Sequence, residues 1–172
     1  DHHDSNKGFW WAHMGWMFAH IPAMKAVPRL SGDLNRDPYY RWLNKYFLLL
    51  QLPLGAILFW IGNATGAGGW AMVLWGIPLR LVAVYHVTWL VNSATHCWGT
   101  IAFDSCDKSR NNKWVAALTF GEGWHNNHHA FPNSARQGLF RGQIDLTWEH
   151  IRILNALGLA TKIRLPQLPI TS

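Results

Sequence analysis

The chain has 172 residues, enough for one domain, and only 14% of them are charged, against about 25% in an average soluble domain. A hydrophobic fraction of 49%, 12 Trp and a mean hydropathy of −0.04 predict a short membrane portion joined to a larger aqueous or interfacial portion. The net charge of +6 comes without a Lys/Arg run or a nucleic-acid motif, which argues against nucleic acid and favours lipid headgroups as partners.

Residues 1–45 are predicted to form an interfacial cap of short helices and turns along a membrane surface, because aromatic clusters alternate there with prolines. Asp37 before Pro38 predicts a helix start, with Asp37 as the N-cap. The chain starts without Met, a signal-peptide pattern or a helix start, so we expect it to be part of a longer protein.

Two apolar runs predict transmembrane helices at residues 46–62 and 70–91, joined by a turn at residues 63–69. The second run contains Pro78, Arg80 and His86, so its polar side chains are expected to face a protein interior or a cavity. A buried helix of a soluble protein is the alternative interpretation of this run.

The distribution of Lys and Arg predicts the orientation of this hairpin. Basic residues are concentrated before the first run and after Asp107, and the 63–69 turn has none. The positive-inside rule then places both ends of the hairpin on the cytosolic or equivalent side.

Residues 92–172 are predicted to form a cytosolic metal-binding cap, with helices at 111–129 and 147–159 and a loose tail at 165–172. Cys97 and Cys106 form no CxxC pair, so no disulfide framework is expected. The predicted fold class is therefore all-α: a multi-pass membrane helical protein, here one transmembrane hairpin plus a helical cap, in a single domain over residues 1–172.

The most informative motif is HNNHH at residues 125–129. Because positions i, i+3 and i+4 share a helix face, His125, His128 and His129 can direct three imidazoles to one place. Neutral imidazole is a good ligand for iron, zinc or copper. Asn92 and His96 share a face of the second apolar helix, and a site shared with HNNHH is the interpretation we favour over a helix-terminal histidine.

The other histidines carry weaker signals. The cluster DHHD at residues 1–4 is predicted to be a solvated loop, because adjacent histidines do not share a helix face. Four isolated histidines are predicted to be structural: His13, His20, His86 and His150.

At these motifs the chain resembles the membrane fatty acyl desaturases of the delta-9 type. The motif sequences are most similar to those of the plant, algal and cyanobacterial branch. The matching stretches occur in the same order over nearly the whole chain: residues 7–16 (KGFWWAHMGW), 89–99 (WLVNSATHCWG), 121–132 (GEGWHNNHHAFP) and 144–161.

The resemblance implies a four-span helical bundle whose cytosolic cap holds two irons on three histidine boxes and one further histidine. His125, His128 and His129 match the third box, His96 matches the further histidine, and Asn92 matches a position that reaches iron through water. The first two boxes and the first pair of spans have no match, so we expect this chain alone to be inactive.

The implied activity is O2-dependent desaturation of a fatty acyl chain, with cytochrome b5 or ferredoxin as electron donor. The carrier is acyl-CoA or a glycerolipid, and Ala19-His20-Ile21-Pro22 stands where acyl-CoA enzymes place basic residues. The membrane is that of the endoplasmic reticulum, a plastid or a bacterium.

Further site residues are assigned by position. Thr88 and Trp89, one turn before Asn92, are predicted to line an apolar substrate tunnel or to be ordinary helix packing. Trp10 and Trp11 line its entrance or anchor the chain at the interface. Residues next to the ligands are predicted to accept hydrogen bonds from them: Glu122, Asn126 and Asn127.

Two alternatives remain open from the sequence. One is another membrane histidine-box enzyme, a lipid hydroxylase or ketolase. The other is a non-catalytic membrane protein that binds zinc or haem through HNNHH.

Overall fold

The computed structural model describes residues 3–19 and 32–167, and all of their regular structure is helical apart from isolated β-bridges. The predicted all-α class is thus confirmed for the described residues. The predictions for residues 1–2, His20, Ile21, Pro22 and residues 168–172 lie outside them. Short 3₁₀ turns occupy Ser5–Lys7 and Gly15–Phe18. The α-helices are, in chain order, α1 (Phe9–His13), α2 (Gly32–Arg36), α3 (Pro38–Tyr46), α4 (Gln51–Ala64), α5 (Gly69–Leu74), α6 (Arg80–Cys97), α7 (Lys113–Leu118), α8 (His125–Ala130) and α9 (Leu146–Ala156).

The chain divides into two compact units. One contains the residues up to Phe18 and those from His86 onward, and the other runs from Ala19 to Tyr85. Helix α6 begins in the second unit and ends in the first.

The predicted helix start at Asp37 is confirmed. The Asp37 carboxylate accepts a hydrogen bond from the Tyr39 N–H at 2.8 Å, and Pro38 occupies the first helical position. Because Pro38 has no N–H, it fits a position where that group has no partner inside the helix.

The first predicted span differs from the structure. Residues 47–50 form turns, and α4 starts only at Gln51. Taken together, α3 and α4 are long and apolar enough for a span, but the two helices are bent by 60° relative to each other. Pro53 explains the break, because a proline ring clashes with the carbonyl four residues earlier and is tolerated only in the first turn of a helix.

The second predicted span lies inside a longer helical run, Gly69–Cys97, which is long and apolar enough to cross a membrane. The run contains one π-helical turn, Trp75–Leu79, around Pro78. Pro78 cannot donate to the Leu74 carbonyl, and a π turn accommodates the missing bond without ending the helix.

Within the second unit, α4 and α5 pack through glycines. A Cβ on Gly62 would lie 2.6 Å from the Gly68 carbonyl oxygen and 2.8 Å from Cγ of Met72. A side chain at this position would therefore force the two helices apart.

The helix predicted over residues 111–129 is wrong: α7 ends at Leu118 and α8 begins at His125. Phe120 and Gly121 have φ values of 58° and 123°, which a helix does not allow. Gly123 then lies directly against the backbone of Asn112 and Ala116, where no Cβ fits. The Gly-Glu-Gly sequence thus turns the chain back onto α7, so α8 becomes a separate helix.

The last helix, α9, ends at Ala156, earlier than the predicted Leu159, because Gly158 adopts a left-handed φ of 73°. At its start, the Asp145 carboxylate accepts from the Trp148 N–H at 2.9 Å. The same carboxylate accepts from the Gln137 and Gly138 N–H groups, so it joins the preceding loop to the helix.

The interior of the first unit has a small apolar cluster of Val91, Ala94 and Val115 beside a larger polar part. Its largest fully buried side chains are polar: Asn126, Asn127, Thr95, Ser93 and Ser109. Buried polar groups need specific partners, so hydrogen bonds rather than apolar packing fix the positions of residues around α8.

Candidate metal centre

Three imidazoles converge on one position in the first unit. Nε2 of His125 lies 3.1 Å from Nε2 of His96 and 2.9 Å from Nε2 of His129. All three ligand atoms lie within 4.8 Å of one another. Ring nitrogens bound about 2.1 Å from one metal ion lie roughly 3 Å apart, so this spacing fits a shared metal ion.

Two helices supply these side chains. His96 is in the last turn of α6, and His125 and His129 are one turn apart on α8. The Asn111 side chain holds α8 in place: its oxygen accepts from the Asn127 N–H, and its amide donates to Oδ1 of Asn127 at 2.7 Å.

Burial keeps His125 in the form that binds a metal. The residue is 7% exposed, and this burial, with the neighbouring histidines adding to it, lowers the pKa of its imidazole to about 3. The ring is therefore neutral near pH 7, with a nitrogen lone pair available for a metal ion.

His128 lies beside the three converging rings. Its ring centroid is 5.9 Å from that of His125, and its Nδ1 is buried with no hydrogen-bond partner among the described residues. Burial lowers the pKa of His128 as well. A buried ring nitrogen without a partner is costly, and a bound metal ion would satisfy it.

The sequence interpretation missed one residue of this site, Asp107. Its Oδ2 contacts Nδ1 of His129, and its Oδ1 accepts from Oγ of Ser105 at 2.9 Å and from the Ser109 N–H at 2.7 Å. Burial raises the pKa of the Asp107 carboxyl, but the hydrogen bonds from Ser109, Ser105 and His129 outweigh burial and hold it well below its usual range. The only sequence signal is an acidic residue in a Ser/Asp-rich turn between the two histidine motifs.

The three residues predicted to accept hydrogen bonds from the histidines are either exposed or bonded to residues other than the histidines. Glu122 is exposed in the turn before α8, and no hydrogen bond joins it to a histidine in the described part of the chain. Asn126 bonds to the backbone of Ala102 and Phe103, and Asn127 bonds to Asn111 and the 137–143 loop. These asparagines fold the loops around the site.

The residues predicted to bind the substrate, and Asn92, also lie in the first unit. Asn92 is half-buried on α6, four residues before His96, and Thr88 and Trp89 lie one turn further back. Trp10 is 71% exposed, whereas Trp11 is half-buried with the Lys7 ammonium 4.6 Å above its ring. Thr88 and Trp89 thus lie on α6, and Trp10 and Trp11 lie on α1. A substrate tunnel lined by these four residues remains a prediction.

His13 and His86, which are isolated in the sequence and predicted to be structural, contact each other. Nε2 of His13 lies 3.0 Å from Nδ1 of His86, and Nδ1 of His13 lies 2.9 Å from Oγ of Ser93. The Trp89 ring contacts both histidines edge-on. These contacts fix α1 against the middle of α6. His150, by contrast, is exposed, and its Nδ1 bonds to the Leu146 carbonyl of its own helix.

The donor set decides which metal ions the residues fit. Imidazole suits iron, zinc and copper, and no thiolate or second carboxylate joins the three converging rings among the described residues. The three rings could therefore hold iron, zinc or copper, and the described residues form a helical protein that has a candidate histidine metal site and a helix long and apolar enough to span a membrane.

Comparison with known proteins identifies the family. The fatty acid desaturase family model matches residues 1–153, and the chain belongs to this family. The family is membrane-associated and generally iron-dependent.

Named relatives come from cyanobacteria and plants. The chain is 53% identical to an sn-1 stearoyl-lipid 9-desaturase of Anabaena variabilis and 54% identical to one of Synechocystis sp.. It is 43% identical to an icosanoyl-CoA 5-desaturase of Limnanthes douglasii. Each match covers 96% of this chain but only 58%, 50% and 46% of the respective relative, so the chain spans about half the length of the curated relatives it matches.

Proposed function

We propose that this chain is part of an enzyme that desaturates a fatty acyl chain, using O2 and a histidine-ligated di-iron centre. The observation that carries the proposal is the convergence of Nε2 of His96, His125 and His129 in a member of the fatty acid desaturase family. Residues outside this chain would complete the ligand set.

The residues of this chain have separate parts in that reaction. His96, His125, His128 and His129 would be iron ligands, and Asn92 would reach iron through water. Bound iron would supply the O2-dependent oxidation that removes two hydrogens from neighbouring methylenes. Thr88 and Trp89, with Trp10 and Trp11 toward the surface, would line the path that positions the acyl chain, because methylenes offer no polar group to bind.

The names of the relatives favour a glycerolipid as the acyl carrier and position 9 as the site of the double bond. Both cyanobacterial relatives are named as stearoyl-lipid 9-desaturases and are more similar to this chain than the acyl-CoA relative is. Cytochrome b5 or ferredoxin would supply electrons.

We further infer a membrane hairpin with both ends on the cytosolic or equivalent side. The large apolar side chains of α4 to α6 support it: Trp60, Trp70 and Trp75 are each 71% exposed, which suits lipid better than water. Residues 1–45 and 92–172 would then form the cap on one side of the membrane.

The test uses the intact protein, purified with its membrane lipids, and measures bound metal and lipid products. We expect about two irons per chain and a new alkene, and His125→Ala should lose both because it removes the most buried ligand. The matched control is His150→Ala, which removes an exposed histidine and should keep wild-type iron and activity. An alcohol or ketone product would instead identify a hydroxylase or ketolase, and zinc alone or a haem absorption band would refute the proposal.

A further inference from the structure

His129 uses its two ring nitrogens differently. Nε2 faces the converging nitrogens, 2.9 Å from Nε2 of His125, whereas Nδ1 contacts Oδ2 of Asp107. A carboxylate can only accept at this contact, so Nδ1 must carry the proton. In the neutral ring, Nε2 then has the lone pair that a metal ion needs.

The Asp107 carboxylate is held from its other oxygen. Oδ1 accepts from Oγ of Ser105 and from the Ser109 N–H, which leaves Oδ2 directed to His129. Ser105 and Ser109 also form hydrogen bonds with the buried Asn126 side chain, whose amide nitrogen lies 3.2 Å from Oγ of Ser105 and 3.4 Å from Oγ of Ser109. Asn126 is fully buried and also bonds to the backbone of Phe103. The loop from Phe103 to Ser109 is therefore built to present this carboxylate in one orientation.

We propose that Asp107 is a positioning residue for the metal centre, which holds His129 in the Nδ1-protonated tautomer and directs its Nε2 to the metal ion. The proposal rests on the proposed metal-binding function. A partner of this kind orients a histidine ligand and strengthens it as a donor, and its loss typically lowers metal affinity by about 10- to 100-fold.

The informative variant is Asp107→Asn. Ser105 and the Ser109 N–H donate to one oxygen, so the amide oxygen should take that place and the amide NH2 should face Nδ1 of His129. An NH2 group donates, so Nδ1 would have to accept, and the proton would move to Nε2, which then could not bind a metal ion. A carboxylate-to-amide change beside a catalytic histidine traps the wrong tautomer in the same way.

The control variants separate this role from a structural one. Asp104→Asn removes the same charge from the same loop, but within residues 3–19 and 32–167 the Asp104 carboxylate accepts from the Cys106 N–H and not from a histidine. Ser105→Ala loosens the loop and keeps the Asp107 carboxylate. Each intact protein, freed of metal, is titrated with Co²⁺, whose visible absorption reports nitrogen ligands, and its metal-free melting temperature is measured separately.

We expect Asp107→Asn to bind Co²⁺ about 10- to 100-fold more weakly than Asp104→Asn, with equal metal-free melting temperatures. Equal Co²⁺ affinity of the two variants overturns the inference and leaves the proposed function standing. Weak binding that Ser105→Ala reproduces, together with a lowered metal-free melting temperature in both, also overturns it, since Asp107 would then only build the loop. Wild-type protein without nitrogen-ligated Co²⁺ would refute the proposed function itself.

Discussion

At the scale of single residues, helical spacing predicted that His125, His128 and His129 could direct their rings to one place. The structure brings His125 and His129 together with His96, and the His128 ring lies beside them. The spacing could not predict the hydrogen-bond partner of His129. Asp107 is 22 positions away in a loop whose shape depends on the buried side chain of Asn126. A contact of this kind depends on tertiary structure, and a local sequence pattern does not contain it.

A substitution of His128 tests directly whether this residue is a metal ligand. Its buried Nδ1 has no partner among the described residues, which costs a protein about 1–3 kcal/mol unless a ligand satisfies it. His128→Phe keeps a ring of similar size and removes that nitrogen. We expect the metal-free melting temperature to stay equal or rise, while iron content and desaturation are lost.

His150→Phe is the matched control, because His150 is exposed on α9. It should leave iron content and desaturation unchanged. Full iron and wild-type desaturation in His128→Phe would remove His128 from the set of metal ligands.

At the scale of helices, caps were predictable and interruptions were not. Asp37 and Pro38 start α3 as their local chemistry dictates. The apolar pattern of residues 111–129 continued across Phe120, although the φ of 58° at that residue ends the helix. The close contact of Gly123 with α7 selects this conformation, and a contact between two segments has no signature in the periodicity of either one.

The glycine packing between α4 and α5 gives a prediction at this scale. Gly62→Ala should lower the stability of the protein in detergent micelles by about 1–3 kcal/mol, because the new Cβ would collide with the Gly68 carbonyl oxygen. Thermal unfolding followed by circular dichroism measures the change.

Gly55→Ala is the control on the same helix. The nearest atom that a Cβ there would meet among the described residues outside the helix's own backbone is Cδ1 of Ile77, at an ordinary distance of 3.5 Å. Alanine favours the helix over glycine by about 1 kcal/mol. It should be neutral or stabilising. If Gly62→Ala also proved neutral or stabilising, α4 and α5 would not pack closely at Gly62 in the membrane.

At the scale of the whole molecule, composition predicted a short membrane portion joined to a larger aqueous or interfacial portion, and this division stays a prediction. Length and composition support one membrane-crossing helix, Gly69–Cys97, while the second depends on whether α3 and α4 form one bent span. Pro53 in the sequence marks that bend. The bend angle depends on lipid and neighbouring helices, which a hydropathy pattern does not contain.

Cysteine labelling tests the orientation that we infer for the hairpin. Native Cys106 is exposed, and an impermeant maleimide should label it only from the cytosolic or equivalent side. Thr65→Cys, in a background of Cys97→Ser and Cys106→Ser, places the single thiol in the turn after α4. It should be labelled only from the opposite side, because basic residues flank the hairpin and are missing from its turn.

Labelling of both thiols from the same side would contradict the hairpin. A chain with only Cys97 and Cys106 replaced serves as the control for background labelling. Labelling after detergent solubilisation shows that each thiol can react.

The distance along the chain between His96 and His125, 29 residues, has a consequence for the lifetime of the protein. A metal ion held by both would act as a reversible cross-link that closes the segment between them and reduces the freedom of the unfolded chain. Cells short of iron would then contain a polypeptide that opens more often and is degraded sooner. Supply of the ion would govern how much enzyme survives as well as how much of it works.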